Sequence, residues 1–98
     1  MPYAIAPARL VHITVGDATG GGHLHGAAGP GSKFPAAWGP SQIEAAILLV
    51  APLITNWVQQ PNQNWRGFGP HPAGIRITVI RYPVQIAGTW MVCTAWPT

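Results

Sequence analysis

Charged side chains are scarce in this chain of 98 residues, with five lysines and arginines against two acidic residues. The net charge of +3 comes from separated cations, so the basic stripe of a non-specific duplex binder is absent. The single cysteine, Cys93, excludes an internal disulfide and a cysteine-based zinc site. The longest apolar run, residues 45–54, contains Pro52 and is too short to span a bilayer. We therefore expect neither a secretory precursor nor insertion into a membrane.

Hydrophobic residues make up 48% of the chain and are interspersed with 12 glycines and 11 prolines. That composition is typical of a small, loop-rich domain with a core, and not of a disordered segment. The length leaves room for a single domain over residues 1–98.

The segment "GPSQIEAAILLVAP" carries the clearest helix signal. Pro40 suits a first-turn position, and Ile43, Ile47 and Val50 share one face of a helix with Ala46. Pro52 is expected to end or kink the helix. Residues 9–15 fit either a strand or the end of a helix, and both alternatives stay open here.

Two strands are predicted near the end of the chain, in "IRITVIRY" and "TWMVCTAW", joined by a connection of hairpin length. Alternation places one set of side chains on the core face: Ile75, Ile77, Val79, Met91, Cys93 and Ala95. The opposite set points to the other face of the sheet: Arg76, Thr78, Ile80, Tyr82, Trp90, Val92, Thr94 and Trp96. Residues 57–59 are predicted as a short strand and the following residues as a loop. The fold class expected is α+β, with a helix packed on a small antiparallel sheet.

Three of the four histidines, His12, His23 and His25, lie in "HITVGDATGGGHLHG". Two histidines facing one cavity can act as proton donor and acceptor in one reaction. A metal site is disfavoured because the only acidic residues are Asp17 and Glu44. A P-loop is disfavoured because its spacing is missing, and a cysteine nucleophile because alternation buries Cys93.

Two interpretations of the histidines remain from the residues alone. In the first, they are structural and the glycine-rich segment is only a turn. In the second, they cleave RNA, which needs a base, an acid and a group that stabilises charge at phosphorus, because the 2′-hydroxyl of the substrate is itself the nucleophile.

An ordered series of motifs, "HITVGDATGGGHLHG", "KFPAAW" and "TAWP", resembles the bacterial EndoU-type ribonuclease domain. That domain stands at the C-terminus of polymorphic toxins, including contact-dependent growth inhibition toxins. Its pattern is His-Ile-x-x-Gly-Asp, Gly-Gly-His, Lys with Phe-Pro-x-x-Trp, a helix, an Asp-Gly-Val-like segment and a closing Thr-Ala-Tyr-Pro. The matches run in that order from His12 to Pro97, over nearly the whole chain.

Carried onto this chain, the resemblance implies that His12 and His23 are the general base and acid, in an order that the motifs leave open. It implies that Thr94 contacts the scissile phosphate. Lys33 matches the family's cation and is expected to bind substrate, although it stands directly before Phe34 instead of a few residues earlier.

Other positions depart from the family pattern or lie outside it. Trp96 replaces the usual tyrosine, which keeps a ring that can stack on a base and loses the hydroxyl. "AGI", residues 73–75, stands where Asp-Gly-Val is expected. Arg76 is a candidate substrate contact beside Trp96. His25 has no role in the pattern, and a structural role is favoured for His71.

The resemblance also implies the fold shared by barnase, EndoU, colicin RNases and RelE-type toxins. It implies RNA cleavage, most plausibly of tRNA, without metal or cofactor, to a 2′,3′-cyclic phosphate and a 5′-hydroxyl. The expected partner is a cognate immunity protein, and the expected setting is a larger exported bacterial toxin that acts in the cytoplasm of the target cell. A non-catalytic RNA- or protein-binding module on the same scaffold is the alternative.

Overall fold

The computed structural model describes residues 2–29 and 31–98, which form a five-stranded sheet with two α-helices packed on it. The elements in chain order are β1 (Tyr3–Ala4), α1 (Pro7–Thr14), α2 (Pro40–Val50), β2 (Val58–Gln59), β3 (Trp65–His71), β4 (Ile75–Arg81) and β5 (Trp90–Pro97). The strand order is β1-β5-β4-β3-β2, antiparallel except that β1 runs parallel to β5. The predicted α+β class is confirmed. Within the described ranges, no helix has the length and apolar character needed to cross a membrane.

Helix α2 forms where the apolar spacing predicts it. The backbone N–H of Gly39 donates to Oε1 of Gln42 at 2.9 Å, which satisfies a group at the start of the helix. Ile43, Ile47 and Val50 are fully buried, as the stripe predicts. The chain then tightens into a 3₁₀ turn over Ala51–Leu53, because proline cannot continue the α-helical hydrogen bonding.

Residues 9–15, for which the sequence allows either a strand or a helix end, belong mainly to helix α1. Pro7 occupies the first turn, and the hydroxyl of Thr14 donates to the carbonyl of Leu10 at 2.8 Å. His12, Ile13 and Thr14 are buried in its last turn.

Strand β3 falls in a segment that the sequence predicts as a loop, and that prediction is wrong. Gly67 and Gly69, which have no side chains, lie where the end of α2 and the following 3₁₀ turn pack against the sheet. A Cβ at Gly67 would lie 2.5 Å from Cγ2 of Ile54, and one at Gly69 would lie 3.0 Å from Cγ1 of Val50. Close packing therefore favours glycine at both positions. Because glycine has a low propensity for strands, these residues led to the prediction of a loop.

A bulge in β5 overturns the predicted core position of Cys93. Ile80 pairs with Thr94 while Arg81 pairs with Val92, so Cys93 is an extra residue with no partner on β4. Val92 is therefore fully buried in the core, where alternation places Cys93, and Cys93 is only half-buried. C-terminal to the bulge the prediction holds: Ala95 is in the core, and Thr94 faces away from it.

Candidate active site

The backbone at the end of α1 brings the two candidate histidines together. The last carbonyls of a helix have no partner within the helix. Here the carbonyls of residues 12–14 accept hydrogen bonds from the backbone N–H groups of residues 22–24, at 2.7 to 3.1 Å. Since His12 lies in the first set and His23 in the second, main-chain hydrogen bonds fix the distance between them.

Gly21 makes this close approach possible. Its φ of +77° lies in the left-handed region, and a Cβ there would lie 1.8 Å from the carbonyl oxygen of His12. The glycine-rich segment therefore has a steric function as well as a turn function.

A carboxylate orients His12. Its Nδ1 lies 3.0 Å from Oδ2 of Asp17, whose other oxygen accepts hydrogen bonds from the hydroxyl and the backbone N–H of Thr19, at 2.6 and 2.9 Å. The Thr19 hydroxyl, its N–H and the His12 ring together hold the pKa of Asp17 well below its usual range. Because Asp17 is ionised, it can only accept, so Nδ1 of His12 carries the proton and the neutral ring leaves Nε2 free.

A carbonyl orients His23 in the same way. Nδ1 of His23 donates to the backbone carbonyl of Ser32 at 2.6 Å, which fixes the same tautomer. Within the described residues neither Nε2 has a hydrogen-bond partner, and neither is closed off from solvent. Each ring is thus held in place by the hydrogen bond at Nδ1, and its Nε2 stays accessible to a ligand that gives or takes a proton.

Both histidines line one pocket of about 410 Å³ with residues of the last strand. The residues that line it are His12, Thr19, Gly21, His23, Gly31, Ser32, Thr94 and Trp96. The structure therefore brings together four of the six site residues predicted from the sequence. The ring of Trp96 lies 6.3 Å from that of His23, centroid to centroid, so an aromatic surface adjoins this imidazole.

The other two predicted site residues are not among the described residues that line the pocket. Nζ of Lys33 donates to the carbonyl of Gly22 at 2.5 Å and so holds the loop next to His23. Arg76 is exposed farther along the sheet, with its guanidinium 4.7 Å from the ring centroid of Phe68.

Three residues near the pocket were not predicted as site residues. Asp17 and Thr19 form the support of His12, and the Gly-Asp step after the histidine could have signalled it. Arg66 lies with its guanidinium 5.3 Å from the ring centroid of Trp96. It was missed because β3 was predicted as a loop.

The two remaining histidines lie outside this pocket. His25 is exposed on the loop, while Nδ1 of His71 accepts a hydrogen bond from the N–H of Ala73 and its ring meets Trp38 edge-on at 5.1 Å. Across residues 2–29 and 31–98, no three His, Cys, Asp or Glu side chains cluster as a metal ligand set.

These features define an α+β domain with an open pocket that holds two oriented imidazoles, a threonine and an indole. No protein-family model, curated protein or solved structure matches the chain significantly. The resemblance to EndoU-type domains therefore rests on the sequence motifs alone.

Proposed function

We propose that this domain is a metal-independent endoribonuclease of the EndoU type. The observation that carries the proposal is that His12 and His23 share a pocket in which each Nδ1 is hydrogen bonded and neither Nε2 has a partner among the described residues. A phosphodiester needs two such groups when its own 2′-hydroxyl is the nucleophile, one to remove a proton and one to supply a proton.

In the proposed reaction one histidine, neutral, takes the proton of the 2′-hydroxyl as the 2′-oxygen bonds to phosphorus. The other, protonated, gives its proton to the 5′-oxygen as the P–O5′ bond breaks. The products are a 2′,3′-cyclic phosphate and a 5′-hydroxyl. The hydroxyl of Thr94 donates to a non-bridging phosphate oxygen, where negative charge develops, and Trp96 stacks on a neighbouring base.

The motif resemblance supports a biological setting for this chemistry. In it, the domain is the C-terminal module of a larger exported bacterial toxin and cuts RNA, with tRNA as the favoured substrate, in the cytoplasm of a target cell. A cognate immunity protein protects the producing cell by covering the RNA-binding face or another surface.

Single alanine substitutions test the two histidines directly. His12→Ala and His23→Ala should each lower the cleavage rate at least about 100-fold, because each removes one proton-transfer group. His25→Ala is the matched control, since His25 is an exposed histidine of the same loop outside the pocket. Activity that survives both His12→Ala and His23→Ala would refute the catalytic assignment.

Three further measurements define the reaction. Cleavage should persist in EDTA, and its rate should have a bell-shaped pH dependence because one histidine must be neutral and the other protonated. End analysis of the RNA should find cyclic phosphates and 5′-hydroxyls. Sequencing RNA ends from intoxicated cells would identify the substrate.

The alternative is an RNA-binding module without catalysis. The exposed arginines and phenylalanine of the sheet beside the pocket favour it, because they can bind RNA whether or not the histidines react. Tight RNA binding by the unsubstituted protein, with no cleavage at any pH, would establish it.

A further inference from the structure

A row of four aromatic and cationic side chains, three of them exposed, continues from the pocket across the same face of the sheet. We call it the outer strip, and its members are Trp96, Arg66, Phe68 and Arg76. Phe68 is 44% exposed, and the other eight aromatic residues are all at least half-buried. The strip therefore contains the aromatic ring most open to a ligand.

Strand register places the members of the strip on one face. Phe68 pairs with Thr78, and Thr78 pairs with Trp96, so the three side chains point to the same side. The backbones of Phe68 and Trp96 lie two strands apart, about 10 Å. Arg66 pairs with Ile80, and Ile80 pairs with Thr94. The backbone of Arg66 therefore lies in line with Thr94, which lines the pocket.

The strip also holds the accessible positive charge of the molecule. Of the five lysines and arginines, three are half-buried and hydrogen bonded: Arg9 to Cys93, Lys33 to Gly22 and Arg81 to Tyr3. Arg66 and Arg76 are the two exposed ones, and Nε of Arg76 donates to the hydroxyl of Thr98 at 3.1 Å. In the part of the chain that the structure describes, no carboxylate lies within ion-pair distance of either.

We infer that the outer strip binds unpaired nucleotides of RNA that extend from the phosphate held in the pocket. Bases can stack on the rings of Trp96 and Phe68 and on the guanidinium planes, while Arg66 and Arg76 approach the phosphates between them. The inference rests on the proposed function only for the position of the scissile phosphate. Binding to the strip itself needs no cleavage.

Single strands fit the strip better than a duplex or an acidic protein does. The faces of duplex bases are covered by stacking, so a ring such as Phe68 could not reach them. An acidic protein surface would use the two arginines but would leave the exposed ring without a specific role. Continuity with a pocket that contains two histidines also favours a polymer of phosphodiesters.

The test uses RNA oligonucleotides in which every 2′-hydroxyl is methylated, so that no position can be cut, and measures their affinity by fluorescence anisotropy. Phe68→Leu keeps an apolar side chain and removes the aromatic ring. We expect it to weaken binding of a single-stranded oligonucleotide about tenfold. Leu53→Ala is the control, because Leu53 is 63% exposed on the 3₁₀ turn away from the strip.

Arg66→Gln tests the charge separately. Loss of one phosphate contact should reduce the slope of log Kd against log salt concentration by about 0.7 for a single strand. A matched duplex should bind more weakly than the single strand, and its affinity should not respond to Phe68→Leu.

The outcomes separate this inference from the proposed catalysis. Equal RNA affinities for Phe68→Leu, Leu53→Ala and the unsubstituted protein would overturn the strip as a subsite even if cleavage is confirmed. Loss of binding in Phe68→Leu would support the strip even if no cleavage is found. If Phe68→Leu weakened duplex binding as much as single-strand binding, stacking would be contradicted. If the protein bound polyglutamate through Arg66 and did not bind RNA, the face would be assigned to an acidic protein.

Discussion

Nδ1 of His12 donates to Oδ2 of Asp17 at 3.0 Å, across only five residues of chain. Asp17 is too exposed to form part of the core, and its two oxygens are occupied by His12 and Thr19. Its arrangement is that of a positioning residue, which fixes the tautomer of a neighbouring histidine.

Asp17→Asn should lower kcat for RNA cleavage by about 100-fold or more with a small change in KM. The amide can donate to Nδ1 and so stabilise the tautomer in which Nε2 already carries a proton. Steady-state kinetics would measure the effect. Glu44→Gln, which changes the only other carboxylate, should leave kcat unchanged; a similar loss in both variants would indicate a general charge effect instead.

The stability of the folded domain should depend on Asp17 in acid. Its pKa is lower in the folded state than the ordinary value of 3.8, so its contribution is complete above that pH and is lost as the pH falls toward the folded-state pKa. The difference in Tm between the unsubstituted protein and Asp17→Asn should therefore shrink below about pH 4. A difference that stays constant between about pH 5 and pH 2 would contradict the assigned direction.

Gly21→Ala should destabilise the domain much more than Gly26→Ala. Both glycines have positive φ, +77° and +88°, so each alanine costs about 1 kcal/mol of backbone strain. Only at Gly21 does the new Cβ collide with a backbone atom, the carbonyl oxygen of His12; at Gly26 nothing lies within 4 Å. Urea unfolding should find that Gly21→Ala lowers the free energy of unfolding by at least about 2 kcal/mol more than Gly26→Ala does. Equal unfolding midpoints for the two variants would show that the loop does not pack as described.

Gly67→Ala should destabilise the domain by about 1 to 3 kcal/mol while leaving kcat of the folded fraction unchanged. The added methyl meets Ile54 and Trp57 on the helix side of β3, and the pocket lies on the other side. Unfolding curves and kinetics at a temperature where the variant is folded would measure both. A large fall in kcat without a change in stability would refute the separation of the two faces.

Arg81→Lys should lower the free energy of unfolding by about 1 to 2 kcal/mol. The guanidinium lies between Trp57 and Trp90, 4.0 and 3.8 Å from their ring centroids, and its Nη1 donates to the hydroxyl of Tyr3. An ammonium group cannot stack on both rings at once. Tryptophan fluorescence during unfolding would report the change, and full stability in Arg81→Lys would show that charge alone, without planarity, holds these rings.

Helix α2 and the β4–β5 hairpin could be predicted because their side chains keep one period over most of their length. The apolar stripe of α2 ends at a proline, and alternation from Ala95 correctly turns Thr94 away from the core. The same argument fails at Cys93, because a bulge shifts the period by one residue and leaves no trace in composition. It fails again at β3, where glycines needed for packing look like the glycines of a loop.

The motifs predicted which residues share the pocket better than they predicted individual contacts. His12, His23, Thr94 and Trp96 meet in one pocket although Thr94 is far from the histidines in sequence. Lys33 instead donates to a loop carbonyl, a geometry that no motif encodes. Whether these residues catalyse RNA cleavage stays a prediction until the substitutions are made.

The two sides of strand β3 tolerate substitution differently, because successive side chains of a strand point to opposite faces of the sheet. On the helix side, a Cβ at Gly67 would overlap Ile54 and one at Gly69 would crowd Val50, so a side chain at either position requires the neighbours to shift. On the outer side, Arg66 and Phe68 stand in solvent and can be replaced without disturbing the interior. Under the proposed function, a library of substitutions at Arg66 and Phe68 is thus a practical route to altered RNA preference on an unchanged scaffold.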